Sequence, residues 1–166
     1  MLALAGDMQS VHGMQTSHPF LAEDYHIRWS TLTPDHVEAD IDKGLEIAEA
    51  NLEKIRKLDL TGVSYENTFG ALETASEELD RAWGRLNHLD SVCNDEDQRA
   101  ALNAALPRVT SFYAAIPLDD AIWEKLKAFS DLDAFQDLDA TGKRYVEETC
   151  TSFIQSGANL PLDKKS

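Results

Sequence analysis

The chain has 166 residues, 43% of them hydrophobic, and a mean hydropathy of -0.37, which is typical of a soluble globular domain with its own core. Its 30 acidic and 15 basic residues give a formal net charge of -15, and this charge disfavours nucleic acid and anionic membrane surfaces as partners. An excess of acid is more typical of a solvated surface than of a specific site for a basic ligand, so it indicates no substrate.

Two features of the sequence bear on cellular location. Cys93 and Cys150 are too few for a disulfide framework and do not form a CxxC pair, which favours a reducing compartment. The opening MLALAG lacks the basic region of a signal peptide, and no stretch approaches the roughly twenty apolar residues of a membrane span. We therefore expect a cytoplasmic protein. Residues 1–17 are predicted to be a poorly ordered leader, with Met14 as an alternative native start, and residues 18–166 to be the folded part.

The first predicted element is an extended segment over residues 17–31, with the sequence SHPFLAEDYHIRWST. Its apolar side chains lack a helical period, and we expect four of them to hold the segment across the helices: Phe20, Tyr25, Ile27 and Trp29. Glu23 and His26 form the ExxH spacing that di-iron carboxylate bundles use. Such sites need two of these motifs and two further glutamates, all on helices. A single copy on a non-helical segment therefore predicts no metal site.

A long amphipathic helix is predicted over residues 32–58. Its apolar residues recur at alternating steps of four and three and define one buried stripe: Val37, Ile41, Leu45, Ala48, Leu52 and Ile55. Thr33 is the expected N-cap, and Pro34 suits the first helical position. His36 and Asp40, one turn apart, could share a metal ion in principle, but a surface pair near the helix start is the favoured interpretation.

A second helix is predicted after a break over residues 59–64, with Gly62 as the turn residue and Ser64 as the N-cap. Its apolar positions keep the same spacing as those of the first helix: Tyr65, Phe69, Leu72, Leu79, Trp83 and Leu86. The short connection predicts antiparallel packing of the two helices. Trp83 and His88 would suit a ligand platform, but we expect a core tryptophan and a histidine that caps a helix end.

Three further helices complete the predicted bundle. The third starts at the cap-rich residues 94–97 and bends at Pro107, and the fourth covers residues 119–129. The fifth starts at its N-cap Asp139 and is closed by Gly157 in the left-handed conformation. The side chains of these helices that are expected to face the core are Leu102, Leu106, Val109, Tyr113, Ile122, Trp123, Leu126, Phe129, Val146, Thr149, Cys150, Phe153 and Ile154. The predicted fold class is all-α, a bundle of about five helices preceded by an extended N-terminal segment.

Sequence motifs that carry known chemistry are absent. There is no HExxH, no phosphate-binding glycine loop, no GxSxG and no zinc-finger grouping of cysteine and histidine. The five histidines do not pair at the spacing of zinc peptidases. The residues alone therefore assign no catalytic, cofactor-binding or metal-binding residue to this chain.

Short motifs, in order along the chain, resemble one protein family. They are PF at 19–20, IRW at 27–29, LTPDHV at 32–37, SYENT at 64–68, HLDSVCN at 88–94, LP at 106–107 and SGANLP at 156–161. Their shared order and spacing resemble the N-terminal region of the thimet oligopeptidase and oligopeptidase A family of zinc metallopeptidases. The resemblance extends from about Pro19 to the end of the chain.

The resemblance implies a mostly helical fold and a role within a larger enzyme. Members of this family have a deep channel that limits substrates to short peptides, and their zinc site lies on an HExxH helix far beyond the N-terminal region. The chain is then expected to be a fragment that helps to wall the channel, with the remaining part of its own chain and short peptides as partners. Zinc is implied for the full-length parent and not for this fragment, which is expected to be inactive alone.

A second interpretation of the same sequence remains open. The chain would then be a stand-alone helical interaction module without catalytic activity, descended from a peptidase that lost its catalytic part. The two interpretations predict the same helices, and they differ in whether the coding sequence downstream of Ser166 continues into an HExxH motif.

Overall fold

The structure, a computed structural model, describes residues 17–93 and 95–160. The predicted leader, except Ser17, and the alternative start at Met14 lie outside the described residues, as do Asn94 and residues 161–166. Within the described ranges the chain contains helices and turns but no strand. The prediction of an all-α fold is therefore confirmed.

Five long α-helices and one short α-helix lie within the described residues. They are α1 (Pro34–Arg56), the one-turn α2 (Ala71–Thr74), α3 (Glu77–Cys93), α4 (Glu96–Ala115), α5 (Asp120–Ser130) and α6 (Ala140–Gln155). None of the helices in the described residues is long and apolar enough to cross a membrane. The number of long helices agrees with the predicted bundle of about five.

The buried face of α1 follows the predicted stripe with one exception. Val37, Ile41, Ala48, Leu52 and Ile55 are buried, whereas Leu45 is only partly buried against the core. One residue earlier, Gly44 is buried and lies against α3, where an added Cβ would lie 3.1 Å from the Cα of Leu79. Because two backbones meet there, glycine takes the central position of the stripe.

The helices α1 and α3 pack antiparallel, as predicted. Gly44 of α1 lies against Leu79 of α3, and two turns further along α1 the Asn51 side chain donates to the carbonyl of Ala75, just before α3. Contacts therefore move backwards along α3 as they move forwards along α1.

The predicted second helix is interrupted rather than continuous. Ser64 and Asn67 exchange backbone-to-side-chain hydrogen bonds, so the predicted cap at Ser64 is confirmed. A π-helical turn, Glu66–Gly70, follows, in which the Gly70 amide donates to the Tyr65 carbonyl at 2.9 Å. Thr68 and Phe69 in this wider turn are completely buried. The local change from an α-helical to a π-helical hydrogen-bond pattern therefore accompanies their packing in the core.

The last three helices have the local end signals expected from the sequence. The carboxylates of Asp95, Asp119 and Asp139 accept hydrogen bonds from first-turn amides of α4, α5 and α6. Gly157 has a φ of 104°, and the Gly157 and Ala158 amides donate to the carbonyls of Ile154 and Phe153. This pattern closes α6 as a Schellman motif.

Two of the residues predicted to face the core in these helices are exposed instead. Leu106 retains 40% of its accessible surface and Ile154 retains 46%. In α4, Val109 is buried as predicted, and Leu102 and Tyr113 are partly buried against the core, whereas Ala105 is buried in place of Leu106. The apolar residues of α4 are spread around the helix rather than gathered on one side, so its sequence specifies the buried face only weakly.

The core consists of two clusters. The first contains Leu52, Phe69, Ile122, Phe129 and Phe153 among others and joins α1 to α5 and α6. The second contains Phe20, Ile41, Leu79, Leu86 and Val109 among others and joins the N-terminal segment to α1, α3 and α4.

The N-terminal segment is less extended and less buried than predicted. It contains two short 3-10 turns, Pro19–Leu21 and Trp29–Thr31. Phe20 is buried as expected, but Tyr25 is 94% exposed and Trp29 is 40% exposed. One aromatic anchor therefore fixes the segment, and the other two rings remain at the surface.

Candidate functional site

The ExxH pair does not form a metal site. Glu23 and His26 are both exposed on non-helical backbone. The Glu23 carboxylate lies 3.3 Å from the Arg81 guanidinium, and the His26 ring makes an edge contact with the Tyr25 ring at 4.9 Å. Each side chain thus has a partner that is not a metal ligand.

The prediction that His36 and Asp40 form a surface pair is wrong. The His36 Nδ1 lies 2.8 Å from the Thr33 hydroxyl, so this hydroxyl caps no amide, although Thr33 is the N-cap residue. Asp40 is fully buried. It faces the N-terminal segment, because its position on α1 lies beside the apolar stripe.

Trp83 and His88 do not form a joint ligand platform. Trp83 is partly buried against the second core cluster, in agreement with the core interpretation. The His88 ring lies against Trp29 with ring centroids 4.8 Å apart, so it contacts the N-terminal segment rather than capping a helix end.

Both cysteines are free thiols. Cys93 is exposed and Cys150 is half-buried. Burial raises the pKa of the Cys150 thiol. A smaller fraction of this side chain is therefore in the reactive thiolate form.

The described residues do not fit the zinc that the family resemblance implies. Across residues 17–93 and 95–160, no group of three or more His, Cys, Asp or Glu side chains lies close enough together to hold a metal ion. Structural and catalytic zinc sites use three or four such protein ligands. No step of a reaction is assigned to a metal on this part of the chain.

Two buried charged side chains fix the N-terminal segment on the bundle. The Asp40 carboxylate accepts from the Phe20 amide at 2.7 Å and from the His18 Nδ1 at 2.8 Å. Arg85 Nη1 donates to the carbonyls of Pro19 and Phe20 at 3.2 and 2.9 Å. The sequence carries one signal for this arrangement, which is that Asp40 and Arg85 directly precede buried residues of amphipathic helices.

The fixed segment and α3 enclose an open cleft of about 600 Å³, which we call the segment groove. One wall is the N-terminal segment and the other is the first half of α3. The lining residues are Glu23, Asp24, Tyr25, Ile27, Trp29, Glu77, Asp80, Arg81, Gly84 and Arg85. The groove combines aromatic rings with four carboxylates.

Hydrogen bonding around Asp80 links the groove to α4. The Asp80 carboxylate accepts from the hydroxyls of Ser76 and Tyr113. Burial and the hydrogen bond to Asp80 raise the pKa of Tyr113 to about 12, so the phenol remains a donor at neutral pH.

Comparison with known proteins relates the chain to one protein family. The family model for the neurolysin/thimet oligopeptidase N-terminal domain matches residues 39–165. The chain is 24% identical over 152 residues to oligopeptidase A of Haemophilus influenzae, with 92% of the chain and 22% of that protein covered. It is also 24% identical over 137 residues to oligopeptidase A of Escherichia coli, with 82% and 20% covered.

A plant protein shows the same partial coverage. The chain is 26% identical over 150 residues to a probable cytosolic oligopeptidase A of Arabidopsis thaliana, with 90% of the chain and 21% of that protein covered. The chain thus spans about a fifth of the length of these relatives. Since the family model covers most of the all-α bundle, the chain belongs to the family of neurolysin/thimet oligopeptidase N-terminal domains.

Proposed function

We propose that this chain is the N-terminal helical part of a zinc-dependent oligopeptidase that hydrolyses short peptides. In this proposal it contributes to the wall of the substrate channel and supplies no catalytic residue. The partners of the chain are then the remaining part of its own polypeptide and short peptides, whereas the net charge of -15 disfavours nucleic acid and membrane surfaces. Residues 18–166 are the folded part and residues 1–17 a leader in the same proposal.

One observation carries the proposal. The family match covers residues 39–165 and is to an N-terminal domain, while the relatives named oligopeptidase A are about five times longer than the aligned region.

The first experiment reads the gene downstream of Ser166. Continuation into an HExxH motif supports the proposal, and the longer protein should then cleave a quenched fluorescent peptide in a way that a chelator abolishes. The 166-residue chain with added zinc should show no cleavage above background. A stop codon directly after Ser166 would favour the stand-alone interaction module, and chelator-sensitive cleavage by the short chain would contradict the division of roles.

The second experiment tests the channel wall. In the longer protein, removal of residues 1–160 should relax the upper limit on peptide length, because one side of the channel would be missing. The zinc content of the shortened protein is the control for folding of the catalytic part. An unchanged length limit in a zinc-loaded shortened protein would contradict the wall role.

The proposal also includes a cytoplasmic location, supported by the name of the Arabidopsis relative as cytosolic. Fractionation of cells that express a tagged full-length protein should place it in the cytosolic fraction. Recovery in an organelle fraction would contradict this part.

A further inference from the structure

We propose that the rest of the parent polypeptide packs on one end of this bundle, the end at which α1 and α6 finish and α5 begins. The choice of that polypeptide as the occupant rests on the proposed function. The surface itself is formed by four exposed aliphatic side chains, which we call the exit surface: Leu60, Leu118, Ile154 and Leu160.

Three helices meet at this end of the bundle. Arg56, the last residue of α1, donates from its Nε to the carboxylate of Asp119, the N-cap of α5, at 2.7 Å. The Phe153 ring near the end of α6 stacks on the Trp123 ring of α5 with centroids 5.9 Å apart. The helix α6 also packs against the 3-10 turn Ile116–Leu118 that precedes α5. The ends of α1 and α6 therefore both lie beside the start of α5.

The four aliphatic side chains belong to these meeting elements. Leu60 lies in the turn directly after α1, Leu118 directly precedes the cap of α5, and Ile154 and Leu160 belong to the last turn of α6 and the residues after it. Each retains between 44% and 47% of its accessible surface. Single exposed leucines are normal on a monomer. Here, however, four of the seven large aliphatic side chains that are exposed in the described residues share one end, which is typical of an interaction surface.

The path of the chain after α6 leads to the same end. Gly157 turns the chain with a φ of 104°, and the Leu160 amide donates to the Gly157 carbonyl at 3.0 Å. The Leu160 side chain lies over this glycine, since an added Cβ there would be 3.2 Å from the Leu160 Cδ1. Leu160, the last residue that the structure describes, is thus held against the end of α6, inside the exit surface.

The lengths of the relatives indicate what covers this surface. The family model is that of an N-terminal domain and matches through residue 165. Since the chain covers 22% and 20% of two proteins named oligopeptidase A, about four fifths of such a protein lies outside the aligned region. In the parent, that part is tethered to the end of the bundle at which the described chain finishes.

The tether favours the chain's own continuation over a second copy of this chain. A polypeptide joined by a short connection has an effective concentration in the mM range, far above that of a free protein at ordinary concentrations. Because the four side chains are aliphatic, the face of the continuation that contacts them should be apolar as well.

The test is hydrogen–deuterium exchange of the 166-residue chain and of the longer protein, followed by mass spectrometry. We expect the amides of residues 118–120 and 153–160 to exchange about 10-fold or more slowly in the longer protein, because contacts with the continuation oppose local opening. Residues 90–93 and 130–133 are the control. They carry or adjoin the exposed Val92 and Leu132 at the other ends of α3 and α5, and should exchange equally in both proteins.

Matched variants test the role of the exit surface. In the longer protein, Ile154→Asp should speed the exchange of residues 118–120 about 10-fold, because a charge would oppose the apolar contact. Leu132→Asp introduces the same charge at a similarly exposed aliphatic position, 43% against 46%, and should leave this exchange unchanged. In the 166-residue chain neither variant should alter the exchange of residues 118–120. If Ile154→Asp lowers the urea midpoint of that chain strongly, the milder Ile154→Ser takes its place.

Equal exchange of residues 118–120 and 153–160 in the two proteins would overturn the proposal. Protection that grows with the protein concentration would also overturn it, since a second copy would then be the occupant. Either result in a longer protein with chelator-sensitive peptidase activity would leave the proposed function intact. A stop codon directly after Ser166 would instead overturn both proposals together.

Discussion

Asp40 is the residue on which the position of the N-terminal segment most depends. The Asp40 carboxylate accepts hydrogen bonds from both His18 and Phe20. Asp40→Asn replaces one of the two accepting oxygens by an amide nitrogen, which would face one of these donors in a fully buried position. We expect a loss of about 1–3 kcal/mol in the free energy of unfolding, measured as a lower urea midpoint.

The control for this prediction lies two residues away. Asp42 is exposed and pairs with Arg108 on α4, so Asp42→Asn should cost about 0–1 kcal/mol. Equal effects of the two substitutions would show that the Asp40 carboxylate does not hold the segment.

Tyr113 gives the molecule a predictable response to alkaline pH. Its pKa is about 12 in the folded chain, against about 10 for an ordinary tyrosine. Between these values the unfolded chain has lost the phenolic proton while the folded chain retains it. The associated stability is therefore fully present below about pH 10 and is lost as the pH rises toward about 12.

We expect Tyr113→Phe to make the fall of the urea midpoint between about pH 10 and pH 12 less steep than in the unmodified chain. Part of the fall should remain, because burial also raises the pKa of Tyr65 and of Tyr145. An identical slope in the variant would mean that Tyr113 titrates as an ordinary tyrosine.

At the scale of a helix, α1 carries one leucine in the centre of the core and one at the edge of the core, and the two should contribute differently to stability. Leu52 is 1% exposed within the first core cluster, so Leu52→Ala should lower the free energy of unfolding by about 2–5 kcal/mol through lost burial and a residual cavity. Leu45 is only partly buried, and Leu45→Ala should cost less than Leu52→Ala.

Glu46 provides the exposed reference on the same helix. Its carboxylate pairs with Lys43 at the surface, so Glu46→Ala should change the urea midpoint little. If Glu46→Ala were as costly as Leu52→Ala, the assignment of the buried face of α1 would be wrong.

At the scale of the whole molecule, the distribution of apolar surface bears on self-association. Among the large aromatic side chains of the described residues, Tyr25 and Trp29 are the exposed ones. The other large apolar side chains that are exposed in the described residues are aliphatic and belong to several elements: Leu60, Val92, Leu106, Leu118, Leu132, Ile154 and Leu160.

If the chain is part of a larger peptidase, some of this surface is covered in the parent. We then expect the isolated chain to self-associate with rising concentration in sedimentation experiments and to bind a dye that reports exposed apolar surface. A strictly monomeric chain that does not bind the dye would count against the fragment interpretation and favour the self-contained module.

Elements governed by short-range interactions were predictable from the sequence. The cap at Asp139 and the closure of α6 at Gly157 depend on hydrogen bonds between residues at most five apart. The period of the apolar residues likewise predicted α1 and its packing face, because a 3.6-residue repeat is a property of the chain itself.

Features that depend on distant parts of the chain were not predictable in this way. Asp40 and Arg85 are buried because they bind backbone groups 20 and 65 residues away, and no local pattern specifies such a partner. The π-helical turn at Glu66–Gly70 and the glycine contact at Gly44 likewise depend on the helices that pack there.

The segment groove shows the same division most clearly. Sequence alone identified the ExxH spacing and the aromatic residues of the N-terminal segment, but it predicted that Tyr25 would help to hold the segment across the helices, whereas Tyr25 is exposed. Only the tertiary structure brings the rings of Tyr25 and Trp29 to the same cleft as Glu77 and Asp80. The reason is physical: helix formation depends on periodicity within the segment, whereas the choice of neighbours depends on the simultaneous burial of all apolar faces.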